Sequence, residues 1–347
     1  MATASKTITV LGFPAFSNRN SNIYNYTFYT AVEKHGIEVD EFSFQRALFG
    51  HHDIIHVHWP EKFLNSHYRL KALLWSTLFL FCLKLHRLKG GRVVWTAHNL
   101  KPHEIKYPRL SKLFWENFLR TVNATISLSK TNQKIMLEAT DLPNATCHTV
   151  IYHPLYKQIT ADNTEKNLQN MGISTKRPYC LFFGRILPYK NVEKLIAMFK
   201  DNPPEGINLV VAGNCENQAY KDEITALAES ADRVTFISRR TGDEELHSLI
   251  QGCAVGILPF KTIFNSGSLL QFPSYGKPVM APYSDNFAEY GSLFKTSPFI
   301  LYRDTLTRET IEKAVTNLPD FQQKCPRELT EEETVIRAAE FFRKVVG

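Results

Sequence analysis

The chain has 347 residues, 44% of them apolar and 22% charged. This places it with ordinary globular proteins and gives room for two domains of about 150–180 residues. Six cysteines (Cys82, Cys147, Cys180, Cys215, Cys253 and Cys325) lie far apart with no CxxC pair, which argues for reduced thiols in a cytosolic setting and against a disulfide frame or a zinc knuckle. The net charge of +7 is uneven: residues 1–150 hold 18 Lys and Arg against 10 Asp and Glu, and the remainder 23 against 24. A basic half suits an anionic substrate, an anionic membrane or nucleic acid. Without an RNP-type aromatic strand or a zinc finger, nucleic acid ranks last and is not expected as a partner. No charged n-region followed by an apolar h-region opens the sequence, so no signal peptide is expected.

In chain order, Thr7–Phe13 reads as a buried strand ending in a glycine turn. A helix follows over about Tyr26–His35, closed by Gly36, and then a second strand, Ile37–Phe44. This is the opening βαβ of a doubly wound α/β fold, in which ligands sit beyond the carboxyl ends of strands. GxGxxG is absent, so nothing here specifies a dinucleotide. The next strand, Asp53–Trp59, puts His56 and His58 on one face and Ile55 and Val57 on the other. A His-x-His pair without a third ligand nearby points to hydrogen bonding at a strand end before metal binding. Glu61, just past Trp59-Pro60, is either a functional carboxylate beyond the strand or a helix N-terminal one favoured by the dipole.

Leu73–Leu85 is rich in Leu, Phe and Trp and is flanked by Arg69, Lys71, Lys84, Arg87, Lys89 and Arg92. It is too short to span a bilayer, which needs ~20 apolar residues. A cationic amphipathic helix at a membrane interface, with Trp75 among its apolar contacts, is one reading; a core helix with a basic cap is the other. Gly91–Leu100 is a strand bearing His98 near its end, and Glu104 follows in its exit: histidine and glutamate at such a place are what an acid/base site requires. Ala124–Leu128 and Thr149–Pro154 are the last strands of a first domain, residues 1–155. The polar, weakly periodic stretch 156–177 reads as an interdomain connection.

The βα rhythm then repeats. Tyr179–Phe183 is a strand leading into Gly184-Arg185-Ile186-Leu187-Pro188-Tyr189-Lys190-Asn191 and a helix from Val192. Arg185 and Lys190 on one glycine-containing loop give a phosphate a guanidinium fork and a point charge. Strands at Asn208–Ala212 and Val234–Ile237 alternate with helices over about Asn217–Ser230 and Gly242–Ile250. A strand over Ala254–Pro259 ends in the turn Asn265-Ser266-Gly267-Ser268, a helix starts near Ser268, and Val279-Met280-Ala281 follows as a strand. Backbone N–H groups at that helix start can cradle a diphosphate, although an ordinary βα connection has the same pattern. The second domain is expected over 178–330, with a closing helix at 331–347.

HVHWPE (His56–Glu61), TAHNLKPHE (Thr96–Glu104), FGRILPYKNVE (Phe183–Glu193) and LPFKTIFNSGSLL with KPVMAP (Leu258–Pro282) together resemble glycosyltransferases of the GT-B type. Within these, they resemble bacterial enzymes that move mannose from GDP-mannose to a lipid-linked oligosaccharide in exopolysaccharide synthesis. The resemblance implies two Rossmann-like domains facing each other across a cleft, the nucleotide-sugar on the second and a polyprenyl-pyrophosphate-linked acceptor on the first. It also implies a peripheral place on the inner face of the cell membrane. Arg185 and Lys190 would hold the donor diphosphate, and Asn265, Ser266, Gly267 and Ser268 would add backbone donors. No metal is expected, since those cations can take the leaving-group charge and no DxD triplet occurs. Many retaining relatives carry a Glu-x7-Glu pair where this chain has Ile263 and Gln271. That departure favours inversion with a carboxylate base, Glu61 before Glu104, and places His98 at the donor sugar or the base. A UDP- or GDP-linked glucose donor with another acceptor, and a non-catalytic subunit of the same fold, are the alternatives.

Overall fold

The computed structural model describes residues 7–19, 23–100, 105–158, 163–261, 264–318 and 324–347. The chain divides into Met1–Pro154 with Arg327–Gly347, and Leu155–Pro326. In the first unit the order is β1 (Ile8–Phe13), α1 (Ile23–Glu33), β2 (Ile37–Glu41), α2 (Phe44–Phe49), β3 (Ile54–Val57), a 3-10 turn (Pro60–Asn65), α3 (Arg69–Leu88), β4 (Arg92–Thr96), α4 (Pro108–Leu119), β5 (Ala124–Ser127), α5 (Lys130–Ala139) and β6 (Cys147–Val150). The strands form one parallel sheet, β2-β1-β3-β4-β5-β6. The central strands β1, β3, β4 and β5 are buried along nearly their whole length, as parallel strands under helices must be, while the edge strands β2 and β6 are partly exposed. One core lies between the sheet and α1, built from Tyr24, Phe28, Tyr29 and Val32. The other lies under α3 and α4, where Phe79, Leu83, Phe114 and Phe118 meet Val93 and Trp95.

The second unit runs α6 (Thr164–Asn170), β7 (Tyr179–Phe183), a 3-10 turn (Pro188–Lys190), α7 (Val192–Asp201), β8 (Asn208–Ala212), α8 (Gln218–Glu229), β9 (Val234–Ile237), α9 (Asp243–Gly252), β10 (Val255–Ile257), α10 (Gly267–Ser274), β11 (Val279–Pro282), α11 (Asp285–Ser292), β12 (Phe299–Tyr302) and α12 (Arg308–Thr316). Its parallel sheet is ordered β12-β11-β10-β7-β8-β9. Counted from its own first strand this is 3-2-1-4-5-6, the dinucleotide-fold order. The stretch 156–177 therefore carries α6 inside this unit: Leu168 is buried, and Thr164 and Asn167 bond Gln251 and Ser248 of α9 at 2.7 and 3.0 Å. One buried apolar side chain leaves little periodic signal.

The final helix, α13 (Glu331–Val346), belongs to the first unit. Thr330 caps it by accepting from the Glu333 amide at 3.2 Å. Glu331, Glu332 and Glu333 lie in its first turn and Arg343 and Lys344 in its last, each charge suited to its end of the dipole. Val335, Ala338, Ala339 and Phe342 pack into the core beside α1, and Arg343 donates to the His35 carbonyl at 2.6 Å.

Candidate functional site

Each sheet has one place where the strand order reverses, and such a reversal opens a crevice at the strands' carboxyl ends. In the second unit this lies between β7 and β10. Gly184 leaves β7 at φ +116°, a backbone conformation that glycine alone adopts without strain. Its amide donates to the Ala212 carbonyl at 3.0 Å, and that of Ile186 to Asn214 at 2.9 Å. The loop thus runs flush against the end of β8, where a Cβ on Gly213 would stand 1.9 Å from the Gly184 carbonyl oxygen.

The chain then turns through Pro188–Lys190 and enters α7 from Asn191 in the left-handed region. This brings Lys190 back under the loop. Its ammonium lies 5.8 Å from the Phe182 ring centre and 5.4 Å from that of Phe260, and the residue is 8% exposed. Burial first, and then the charge of Arg185, lower its pKa to about 8. Lys190 Nζ and Ser268 Oγ stand 3.3 and 3.6 Å from the point a Gly184 Cβ would occupy. An ammonium, a hydroxyl and an open backbone thereby converge from both sides of the crevice. Among the described residues no carboxylate pairs with Lys190: Arg185 takes Glu216 at 3.3 Å and Lys261 takes Glu193 at 3.1 Å. A desolvated cation left without an anion is a costly arrangement unless a ligand supplies one.

Helix α10 starts beside it, with Asn265 and Ser266 partly exposed and no side-chain cap from Ser266. A Cβ on Gly267 would stand 2.6 Å from the Tyr156 hydroxyl, so a larger residue there would have to displace that side chain. Gln271, half-buried, sits one turn beyond Ser268. Ile263 lies outside the described residues.

In the first unit the reversal lies between β1 and β3. The loop after β1 is tied to β2 by one carboxylate: the amides of Ala15, Phe16 and Ser17 donate to Glu41 at 3.1, 2.6 and 2.8 Å. His56 and His58, on one face of β3 and its exit, both bond the buried Tyr29 hydroxyl, at 2.8 and 2.9 Å. His56 also reaches Thr96, at 2.7 Å, and His58 reaches His98, at 2.9 Å. Tyr24 stacks on His153 with centroids 4.5 Å apart, and Trp59 on His98 at 4.6 Å. The His-x-His pair is thus part of a hydrogen-bonded array. Among the described residues no group of three or more His, Cys, Asp or Glu is placed to hold a metal ion.

Glu61, in the 3-10 turn after β3, is 7% exposed. Burial raises its pKa to about 7, against the opposing pull of its backbone hydrogen bond and of the Asn99 side chain. A carboxylate that titrates near neutrality is suited to accept a proton there. Glu104 lies outside the described residues. Tyr29, Thr96, Asn99 and His153 were not legible as site residues; the one available signal is that the histidines recur at strand carboxyl ends.

Helix α3 turns Ala72, Ser76, Phe79, Cys82, Leu83 and His86 inward. Leu70, Leu74, Phe81 and Leu88 are exposed and, spaced by four, seven and seven, line one outer stripe. Arg69, Lys71, Lys84 and Arg87 are exposed around it. Lys84 also bonds Asn117 at 3.3 Å, and Arg87 the Arg120 carbonyl at 2.8 Å. Trp75 is exposed on one side and packs against Phe44 with centroids 5.0 Å apart. Among the described residues no helix is long and apolar enough to cross a membrane.

Residues 163–279 match the family described as glycosyl transferases group 1. The chain is 30% identical over 289 residues to the GDP-mannose:glycolipid 4-beta-D-mannosyltransferase of Xanthomonas campestris pv. campestris, covering 83% of this chain and 77% of that protein. Among solved structures, sucrose-phosphate synthase from Thermosynechococcus elongatus superposes with a TM-score of 0.70 at 13% identity, over 97% of this chain and 99% of that one. HepE of Anabaena, in complex with UDP and glucose, superposes at 0.62 and 14% identity, over 97% of each chain. WaaG, a glycosyltransferase of lipopolysaccharide biosynthesis, gives 0.60 at 13% identity, over 98% of each. At these identities the likeness establishes the GT-B fold.

Proposed function

As this chain belongs to the group 1 glycosyl transferases, we propose that it moves mannose from GDP-mannose onto a polyprenyl-pyrophosphate-linked oligosaccharide in bacterial exopolysaccharide synthesis. The observation that carries the donor half is Lys190: a buried ammonium with no carboxylate partner among the described residues, converging with Ser268 on the open backbone of Gly184 at the second unit's sheet reversal. Lys190 and Arg185 hold the diphosphate and take the charge that develops on the leaving nucleoside diphosphate. The amides after Asn265, Ser266 and Gly267 add donors at the start of α10, and Gln271 lies toward the sugar. GDP and mannose enter from the Xanthomonas relative's name and glycolipid acceptors from the same source.

Glu61 is the base, with His98 beside it in the acceptor half. Its carboxylate takes the acceptor hydroxyl's proton as that oxygen attacks the anomeric carbon and the bond to the diphosphate breaks on the opposite face. GDP-mannose is an α-glycoside, so one displacement gives a β product, in keeping with the 4-beta linkage in the relative's name. Glu104 is the second candidate base. The apolar stripe and cation flanks of α3 suit an anionic membrane surface. On this reading vesicle binding weakens with salt and is lost in Phe81→Asp; salt-insensitive binding, or none, removes the membrane contact.

The testing experiment is a thermal-shift screen with GDP-mannose, GDP, UDP-glucose and UDP, since a ligand of the folded state raises the melting point. Shifts with the guanosine ligands alone are expected. Shifts with the uridine ligands alone would replace mannose by a glucose-type donor, and no shift at all would leave a non-catalytic subunit.

A further inference from the structure

Glu193 lies in the first turn of α7, just after Lys190 in the chain. The Tyr220 hydroxyl of α8 donates to its Oε2 at 2.5 Å, and Lys261 Nζ, past the end of β10, donates to its Oε1 at 3.1 Å. In the sheet β7 lies between β10 and β8, so one carboxylate ties the connection after β7 to the connections after both of its neighbours. Lys261 makes a second bond, from its backbone amide to the Tyr189 carbonyl at 2.9 Å. Its two bonds therefore land on either side of Lys190 in the chain. Phe260, next to Lys261, is one of the rings against which the Lys190 ammonium rests, at 5.4 Å, and its centroid is 6.2 Å from that of Tyr189.

The Lys190 segment needs holding from outside. Asn191, between Lys190 and α7, adopts φ +60°, a left-handed conformation that few non-glycine residues take up. Its side chain does not cap the helix, and its Oδ1 is buried without a partner among the described residues. A lysine on a long flexible stem, whose charge is costly to bury, turns toward water once its backbone is released. The Lys261–Glu193 pair adds little stability of its own, since the side chains are 47% and 22% exposed. What it supplies is a fixed geometry across the reversal.

We propose that Glu193 and Lys261 are positioning residues that hold the Tyr189–Asn191 backbone across the β7/β10 reversal and so keep the Lys190 ammonium aimed at the open backbone of Gly184. Both act through Lys190, not by contact with the diphosphate. The consequence for the donor rests on the glycosyltransferase reading given above: an ammonium fixed before the diphosphate arrives does not have to be ordered at the expense of affinity.

The first readout needs no ligand. Carbon-13 NMR of lysine-labelled protein follows each ammonium through its titration, with Lys190 assigned by the signal lost in Lys190→Met. In wild type its midpoint is expected at about 8, set by burial and then by Arg185. Glu193→Ala should raise that midpoint toward the ordinary 10.5 as the ammonium reaches water. The sign is diagnostic, because losing a nearby negative charge without movement lowers a lysine's pKa. Glu193→Gln, whose amide accepts from Lys261 and donates to Tyr220, should keep the wild-type midpoint. A midpoint that stays near 8 or falls in Glu193→Ala overturns the proposal; if that variant does not fold, an unmoved midpoint in Lys261→Met, at an exposed site, overturns it instead. The second readout is GDP affinity by calorimetry at pH 7. Glu193→Ala and Lys261→Met should each weaken it about tenfold, the lower end of the loss expected for a charge-assisted bond. In a Lys190→Met background neither should weaken it further, since a residue that acts through Lys190 then has nothing to act on. Full additivity overturns the proposal. Wild-type protein that binds no GDP would sink the functional reading and leave the titration to decide the positioning role.

Discussion

Glu61→Gln should make the protein more stable and inactive at once, in a pH-dependent way that burial dictates. The folded carboxyl titrates at about 7, while the unfolded one keeps the ordinary 4.5. Below pH 4.5 both states are protonated and burial of the group carries no ionisation penalty. As pH rises from there the unfolded chain ionises while the folded one stays protonated, so stability falls. The fall is complete once pH passes 7 and the folded carboxyl ionises too. At 1.36 kcal/mol per pKa unit the loss is about 3 kcal/mol. Glutamine keeps the shape and can still bond Asn99 but cannot ionise. The variant should therefore match wild type near pH 4.5 and exceed it above pH 7. For a unit of this size about 2–4 °C per kcal/mol makes the difference several degrees in Tm. Over the same interval wild-type transfer should rise with pH as the carboxylate forms, with half the effect near pH 7, and the variant should show no such limb. Melting curves of both proteins from pH 4.5 to 8.5, with turnover measured alongside, test this. A Tm difference that does not grow with pH would mean that Glu61 is an ordinary ionised carboxylate, and the assignment of the base would lose its physical support.

Lys190→Met should weaken GDP binding about 10–100-fold, the worth of a charge-assisted hydrogen bond of about 1.5–3 kcal/mol. Because Lys190 titrates at about 8, calorimetry should show wild-type affinity falling as pH rises through 8 and a flatter profile in the variant. Arg185→Ala should cost less, since that side chain is exposed and already paired with Glu216. Gly213→Ala should lower GDP affinity by displacing the Gly184 loop. Gly206→Ala, at φ +66° with open space around it, should cost about 1–2 kcal/mol of stability and leave affinity unchanged. Equal affinities in the two glycine variants would show that the loop position does not matter to the ligand.

The alternation of strands and helices is legible in the local sequence. Short apolar runs bounded by glycine and polar turns are read locally, which is why Asn208–Ala212 and Val234–Ile237 match their strands end to end and the last helix is found at Glu331–Val346. The local sequence also marked Lys190, Arg185 and the turn at Gly267, because a loop between a strand and a helix N-terminus carries its chemistry in consecutive residues. Less visible were α2, α11 and β12, which are short and owe their form to what they pack on, and α6, whose one buried leucine leaves no period.

Which distant residues meet depends on how the strands are ordered in space. Strand order is not encoded in any single segment, so the reversals at β1/β3 and β7/β10, and the approach of Ser268 to Lys190 across one of them, follow from the assembled sheets. The desolvation that sets Glu61 and Lys190 near neutrality, and the hydrogen bonds that join Thr96, His56, Tyr29, His58 and His98, arise the same way. A pKa shift and a buried hydrogen bond are properties of surroundings, and those surroundings are assembled from residues far apart in the chain.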